Sequence, residues 1–208
     1  MNNKFTEFIK SYVASEEIAQ WCGSLQQEHP FSFKITRKRN SKLGDYRYRK
    51  DIRGEHHQIS INNDLNKHEF LFTFLHEYAH RVCMNRFGKT VKPHGEEWKT
   101  IFSIILQQAL TQKFFPDTLT EAITIHAQNP KASCAADQRL HKLFSSFDTK
   151  NNDVTYLSDL KPNSLFLFNG KCFRKLEMRR TRAVCLNTHN HKKYLISGIA
   201  EVLFLEDK

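Results

Sequence analysis

Apolar and polar positions in this chain follow two different periods. Through most of the chain the apolar residues recur every three or four positions, as helices require, and towards the C-terminus they alternate, as strands require. Phe5, Phe8, Ile9, Tyr12, Val13, Ile18 and Trp21 predict one amphipathic helix from Lys4 to about Leu25, with Gly23 as its stop. Phe31-Ser32-Phe33-Lys34-Ile35-Thr36 alternates cleanly and predicts a half-buried strand. After a turn near Gly44-Asp45, Tyr46-Arg47-Tyr48-Arg49 alternates again and is expected to return antiparallel to the first strand. A turn at Gly54 leads to Gln58-Ile59-Ser60-Ile61-Asn62, a third short strand. Together they predict a small antiparallel sheet running straight into a helix.

That helix has a start signal in Asn66, with Glu69 three positions on, and a stop at Gly88. Phe70, Leu71, Phe72, Phe74, Leu75, Ala79 and Val82 make it apolar nearly all round, which marks a buried helix. The next helix begins around Gly95 and carries one apolar stripe, Trp98, Ile101, Phe102, Ile105, Leu106 and Ala109. Two further helices are expected at about 117–128 and 133–146, separated by Asn129-Pro130, and the polar run from Asp148 to Asp153 reads as a linker. Beyond it the residues of 166–168, 172–173, 183–186, 194–196 and 202–204 alternate as strands, with Asn169-Gly170 as a hairpin turn. The expected class is α+β. Residues 1–115 form a sheet-and-helix domain, 116–152 a helical connector and linker, and 153–208 a small, basic, antiparallel β unit resembling a barrel.

The buried helix contains His76-Glu77-Tyr78-Ala79-His80. Histidines four apart lie on one helix face, one turn from each other, so both imidazoles reach one metal ion. Glu77 projects about 100° further round and reaches a water on that ion. This is the signature of zinc peptidases, with histidine ligands and a glutamate general base. With 11 His in the chain the pattern also arises by chance in a few per cent of shuffled orders, roughly. Against chance stands burial, because two imidazoles in an apolar helix need partners and one zinc ion serves both.

A catalytic zinc takes three protein ligands and keeps one position open. His94 is the first candidate for the third, in Lys92-Pro93-His94-Gly95 at the start of the next helix, with Glu96 and Glu97 as rival oxygen ligands. His56, His57 and His68 are expected as exposed turn or helix-start residues, and Cys83 as a packing residue. No oxyanion-stabilising residue is legible, although Tyr46, Tyr48 and Arg81 lie within the right stretches.

Composition adds a partner class. The chain of 208 residues carries a formal net charge of +10, an excess suited to polyanions. Its basic runs lie near Arg37–Arg53 and near Arg174–Arg182, with Phe173 and Tyr194 interleaved in the second, so nucleic acid is the expected partner beside a protein or peptide substrate. The competing reading is a solvated sheet edge blunted with Lys and Arg. No membrane segment and no secretory signal are read, and 5 Cys without regular spacing describe no disulfide framework. An intracellular, cytoplasmic protein is expected.

The combination of His76-Glu77-Tyr78-Ala79-His80 with His94-Gly95 and Trp98, preceded by strands and a leading helix, resembles the SprT-like metallopeptidase family, which includes the Spartan proteases that cleave proteins crosslinked to DNA. The resemblance covers roughly residues 1–115. It implies a zincin-like domain with one catalytic Zn2+, His76, His80 and His94 as ligands, Glu77 as catalytic base, and a role in DNA repair. Many relatives carry a C-terminal zinc ribbon with paired Cys-x-x-Cys knuckles, whereas Cys134, Cys172 and Cys185 stand apart here. Cys172, Cys185, His189 and His191 offer the ligand types of a second zinc site without its knuckle spacing, the alternative being two small core cysteines and two exposed turn histidines. Two other readings remain open, a non-catalytic nucleic-acid-binding protein on a zincin scaffold and a metallopeptidase with no nucleic-acid role.

Overall fold

Residues 4–39, 41–132, 137–148 and 155–205 are described in a computed structural model, which divides into two compact units, Met1–Ala132 and Ser133–Lys208. The N-terminal segment is two helices rather than the one expected, α1 (Lys4–Ile9) and α2 (Glu16–Glu28). Ser15 separates them. Its backbone is extended, and its side chain accepts the Ile18 N–H at 3.3 Å, capping α2. Gly23 is no stop but lies inside α2, where a Cβ would run into the Thr6 side chain of α1. Its missing side chain lets the two helices close on each other.

Three strands follow: β1 (Ser32–Thr36), β2 (Gly44–Asp51) and β3 (Gly54–Asn62), in the order β1-β3-β2. The sheet is mixed, not antiparallel as expected, because β1 pairs parallel with β3 while β2 pairs antiparallel with it. The strand runs themselves were legible; the choice of neighbour was not. β2 and β3 are joined by a tight hairpin, with Gly54 at φ 115 where the left-handed region is needed. β3 takes the centre because Ile59 and Ile61 are fully buried, which leaves the charged β1 and β2 as edges.

The helix α3 (Lys67–Phe87) is capped by the Asn66 side chain, which accepts from the His68 and Glu69 N–H groups, and it ends at Gly88 with φ 62. Phe33 of β1 and Phe5 of α1 meet Phe74 of α3 at ring distances of about 6.1 Å, in an aromatic layer that includes Phe31 and Tyr78. On another side α3 packs against α4 (Glu96–Thr111), whose buried residues are the six of the expected stripe. α5 (Asp117–Gln128) packs on α4 and completes the layer.

The second unit holds α6 (Gln138–Ser145) and the strands β4 (Thr155–Tyr156), β5 (Leu165–Phe168), β6 (Lys171–Met178), β7 (Arg182–Asn187), β8 (Lys193–Ser197) and β9 (Glu201–Leu205). The start of the expected 133–146 helix and most of the expected linker lie outside the described residues. The sheet runs β4-β9-β5-β6-β7-β8, antiparallel throughout, and among the described residues its end strands β4 and β8 are not paired to each other. Asn169 (φ 49) and Gly170 (φ 71) form the hairpin turn between β5 and β6, both in the left-handed region. Leu157, Phe166, Phe173, Ala183, Cys185, Ile196 and Val202 make the core.

One cation of the basic Arg174–Arg182 stretch lies inside this unit. Pairing between β6 and β7 shifts between Lys175 and Glu177, and Lys175 is only 3% exposed. Its ammonium donates to the carbonyls of Leu157 at 2.9 Å, Ser158 at 3.2 Å and Leu160 at 2.5 Å. Lys175 is therefore a structural tie and not a contact for a polyanion. Replacing it with methionine keeps the stem and leaves the carbonyls without their donor, which should cost about 1–3 kcal/mol in urea unfolding; unchanged stability would show that water serves them equally well.

Candidate metal centre

From Glu69 to Cys83 every residue of α3 is buried except His76 and His80. These two open towards the loop after α3, which brings back His94. The Nε2 atom of His94 lies 3.1 Å from Nε2 of His76 and 3.0 Å from Nε2 of His80. The chain reaches this point through a left-handed residue, His94 itself at φ 57, followed by Gly95 at the N-cap of α4. Three imidazole nitrogens thus converge on one point, and the group has the spacing to hold a metal ion.

Electrostatics favours that use. Burial lowers all three imidazoles: His80 to about 3, with His94 adding to the effect, His76 well below its ordinary value, and His94 in the same direction. The rings are therefore neutral at pH 7, the protonation state a metal ligand needs. Neutral rings turned Nε2-inward set lone pairs against each other. A proton on one nitrogen bridges at most one pair, whereas a cation at the centre satisfies all three. Ligand nitrogens of a tetrahedral zinc, about 2.0–2.1 Å from the ion, lie about 3.3 Å apart, close to the spacing here.

Trp98 of α4 walls the site, its ring 4.7 Å from His76, 5.2 Å from His80 and 4.6 Å from His94. Tyr46 of β2 lies parallel to His80 at 6.4 Å, and its hydroxyl is 2.7 Å from Nδ1 of His57. His57 is thus a half-buried strand residue and not the exposed turn residue expected; His56, also in β3, does lie exposed and bonds Asp51 at 3.0 Å. The other two oxyanion suggestions point elsewhere, with Tyr48 bonded to Glu55 and Arg81 donating to the Pro30 carbonyl. Glu96 pairs with Lys99 at 2.8 Å and lies exposed, as does Glu97. Neither glutamate belongs to the three-histidine group.

Glu77 is buried beside β2 and accepts the backbone N–H of Tyr46. Burial pushes its carboxyl up to about 8, and Asp45 nearby adds to the rise. The sequence pattern missed Gly44, which begins β2 and is not a turn. A Cβ there would lie 2.6 Å from Oε1 and 2.7 Å from Cγ of Glu77, so only glycine lets β2 pass this close. The role of the Tyr46 amide leaves no trace in side-chain patterning. In the second unit Cys185 is core, and among the described residues no group of three ligands other than the histidines was found.

The sequence model of the SprT-like family matches residues 12–126 and so takes in every residue of this site. The match ends within α5, leaving the second unit unmatched. No curated protein and no solved structure matches the chain.

Opposed titrations set the expected pH dependence of the metal-free protein. Below about 6.5 the unfolded histidines bind protons that His76, His80 and His94 resist when folded, so stability falls with acidification. Four half-buried histidines, His29, His57, His68 and His141, act in the same direction. Folded Glu77 keeps its proton up to about 8 while an unfolded glutamate loses it near 4.5, so this group costs stability as pH rises through that window. With chelator present, Tm should peak near neutral pH and decline towards 8. Glu77→Gln should abolish the alkaline decline, and a mutant Tm that still falls there would contradict the assignment.

Proposed function

The chain belongs to the SprT-like family, and on that premise we propose that its first unit is a zincin-like, zinc-dependent peptidase. The observation that carries this reading is the convergence of three neutral imidazoles on one point, with a buried carboxylate on the residue next to the first of them. His76, His80 and His94 would hold the ion, a donor set zinc favours over oxygen-rich sites. When bound, zinc supplies Lewis acidity, which acidifies water and polarises a carbonyl group.

The protein's own part falls to Glu77. Its carboxylate takes a proton from the attacking water and gives it to the amine nitrogen of the departing peptide. The Tyr46 N–H holds one side of that carboxylate, and Gly44 leaves room for it against β2. A carboxyl whose affinity for protons has been raised by burial is suited to both transfers, because it accepts readily and releases near neutral pH. A dication in the histidine site draws it towards the ionised form in the resting state. Trp98 and Tyr46 orient the imidazoles by ring contact.

The proposed substrates are proteins associated with nucleic acid, in keeping with the net charge of +10. The DNA-linked substrate class and the intracellular setting are part of this proposal. No helix among the described residues is long and apolar enough to cross a membrane.

Purified protein should carry stoichiometric zinc that His94→Ala loses. Glu77→Gln should keep the zinc and lose cleavage of an unfolded protein substrate by about 100-fold or more. Proteolysis retained in that metal-loaded mutant would rule out this mechanism. Gly44→Ala should likewise keep zinc while slowing cleavage, since the added methyl displaces the carboxylate and not the imidazoles; equal rates would show that β2 yields at no cost.

A further inference from the structure

The three-stranded sheet has two faces with different tasks. Gly44 and Tyr46 of β2, opposite Ile61 and Ile59 of β3, face α3 and the metal centre. The alternate residues turn away from it. In register across that outer face run Ser32, Gln58 and Arg47, then His56 and Arg49, then Asp51 beside the hairpin. With Arg53 from the hairpin they line an open groove of about 350 Å³.

Its charges are unevenly matched. Asp51, the one carboxylate lining it, accepts the Arg53 backbone N–H at 2.7 Å and lies 3.0 Å from the His56 ring. Arg47 leans back on Asp45 at 2.5 Å. The guanidinium groups of Arg49 and Arg53 have no carboxylate partner among the described residues, and both are exposed. Two free planar forks beside neutral Ser32 and Gln58 form a bidentate anion site of the kind that phosphate oxygens fill. At the hairpin tip Ile52 is wholly in solvent (102% exposed), an apolar surface beside the cations.

We propose that this groove binds the phosphodiester backbone of a nucleic-acid strand, with Arg49 and Arg53 on its phosphates and Ile52 against an unstacked base. An acidic peptide would use the cations but not the apolar tip, and the net charge of +10 favours a polyanion over a single phosphate. The inference rests on the nucleic-acid part of the function proposed above and is independent of peptidase activity. Because the groove and Glu77 lie on opposite faces of β2, a bound strand leaves the cleft open to protein substrate.

The test is fluorescence anisotropy of the full chain with a labelled single-stranded oligonucleotide, titrated over a range of salt, with polyglutamate as competitor. R49E/R53E should weaken binding by about tenfold or more and reduce the slope of log K against log salt by about 1.4, about 0.7 for each phosphate no longer neutralised. Zinc content and peptide cleavage without nucleic acid should stay at wild-type level, so failure of the groove and failure of the peptidase reading are told apart. R49Q/R53Q, which adds no negative charge, should give the same slope change and covers a misfolded charge reversal. Unchanged affinity and slope in the folded variants would overturn the proposal. So would loss of binding in R179E/R180E alone, which places the strand on the second unit, or competition by polyglutamate at equal charge concentration.

Discussion

A helix buried on nearly every side must account for each polar group it carries into the interior. α3 carries two imidazoles and a carboxylate within five residues, among phenylalanines and leucines. Leaving such groups unpaired in apolar surroundings costs kilocalories each, so the fold has to supply partners or a route to solvent. It does both at one place. The face of α3 holding His76 and His80 is the one not sealed, and the loop to α4 returns a third imidazole to it.

The neighbouring elements follow from that demand. The sheet covers the side with Glu77, and Gly44 brings a strand edge close enough to offer a backbone amide. α4 covers the opposite side with Trp98, a rigid plate against three rings. The aromatic layer from α1 and β1 seals the remainder. The site is thus a polar opening in a largely apolar part of the interior, and burial there displaces the proton affinities of its groups.

Most of the elements were legible because periodicity is a local signal. The α4 stripe, the α5 limits and the Asn169-Gly170 turn match their expectations, and the four-residue spacing of His76 and His80 does put their rings beside each other on α3. What escaped was decided at a distance. Which strand lies beside β3 depends on competition for burial between segments, and no alternation pattern contains it. Gly44 reads as a turn in sequence because close approach to Glu77 and a tight bend both call for glycine. Ser15 lay unnoticed within an apolar stripe that two helices happen to share. Lys175 reads as surface charge in sequence, but a shift in pairing sends it inward, and Arg39 reads the same way although it binds Asn62 Oδ1 at 2.7 Å and ties the loop before β2 to β3. Counting cations along a chain overstates how many of them are free to touch a partner.

The backbone at position 94 carries a further meaning. A φ of 57 brings the Cβ of any side chain close to the following carbonyl oxygen and is of order 1–3 kcal/mol worse than an ordinary conformation. Glycine or asparagine would rest there with less strain and would present no comparable ligand. With His94 as the proposed ligand, position 94 answers to two opposed criteria, chain comfort and donor chemistry, and histidine would satisfy the second at the expense of the first. A loop shaped only for its own ease would have had little reason to hold one.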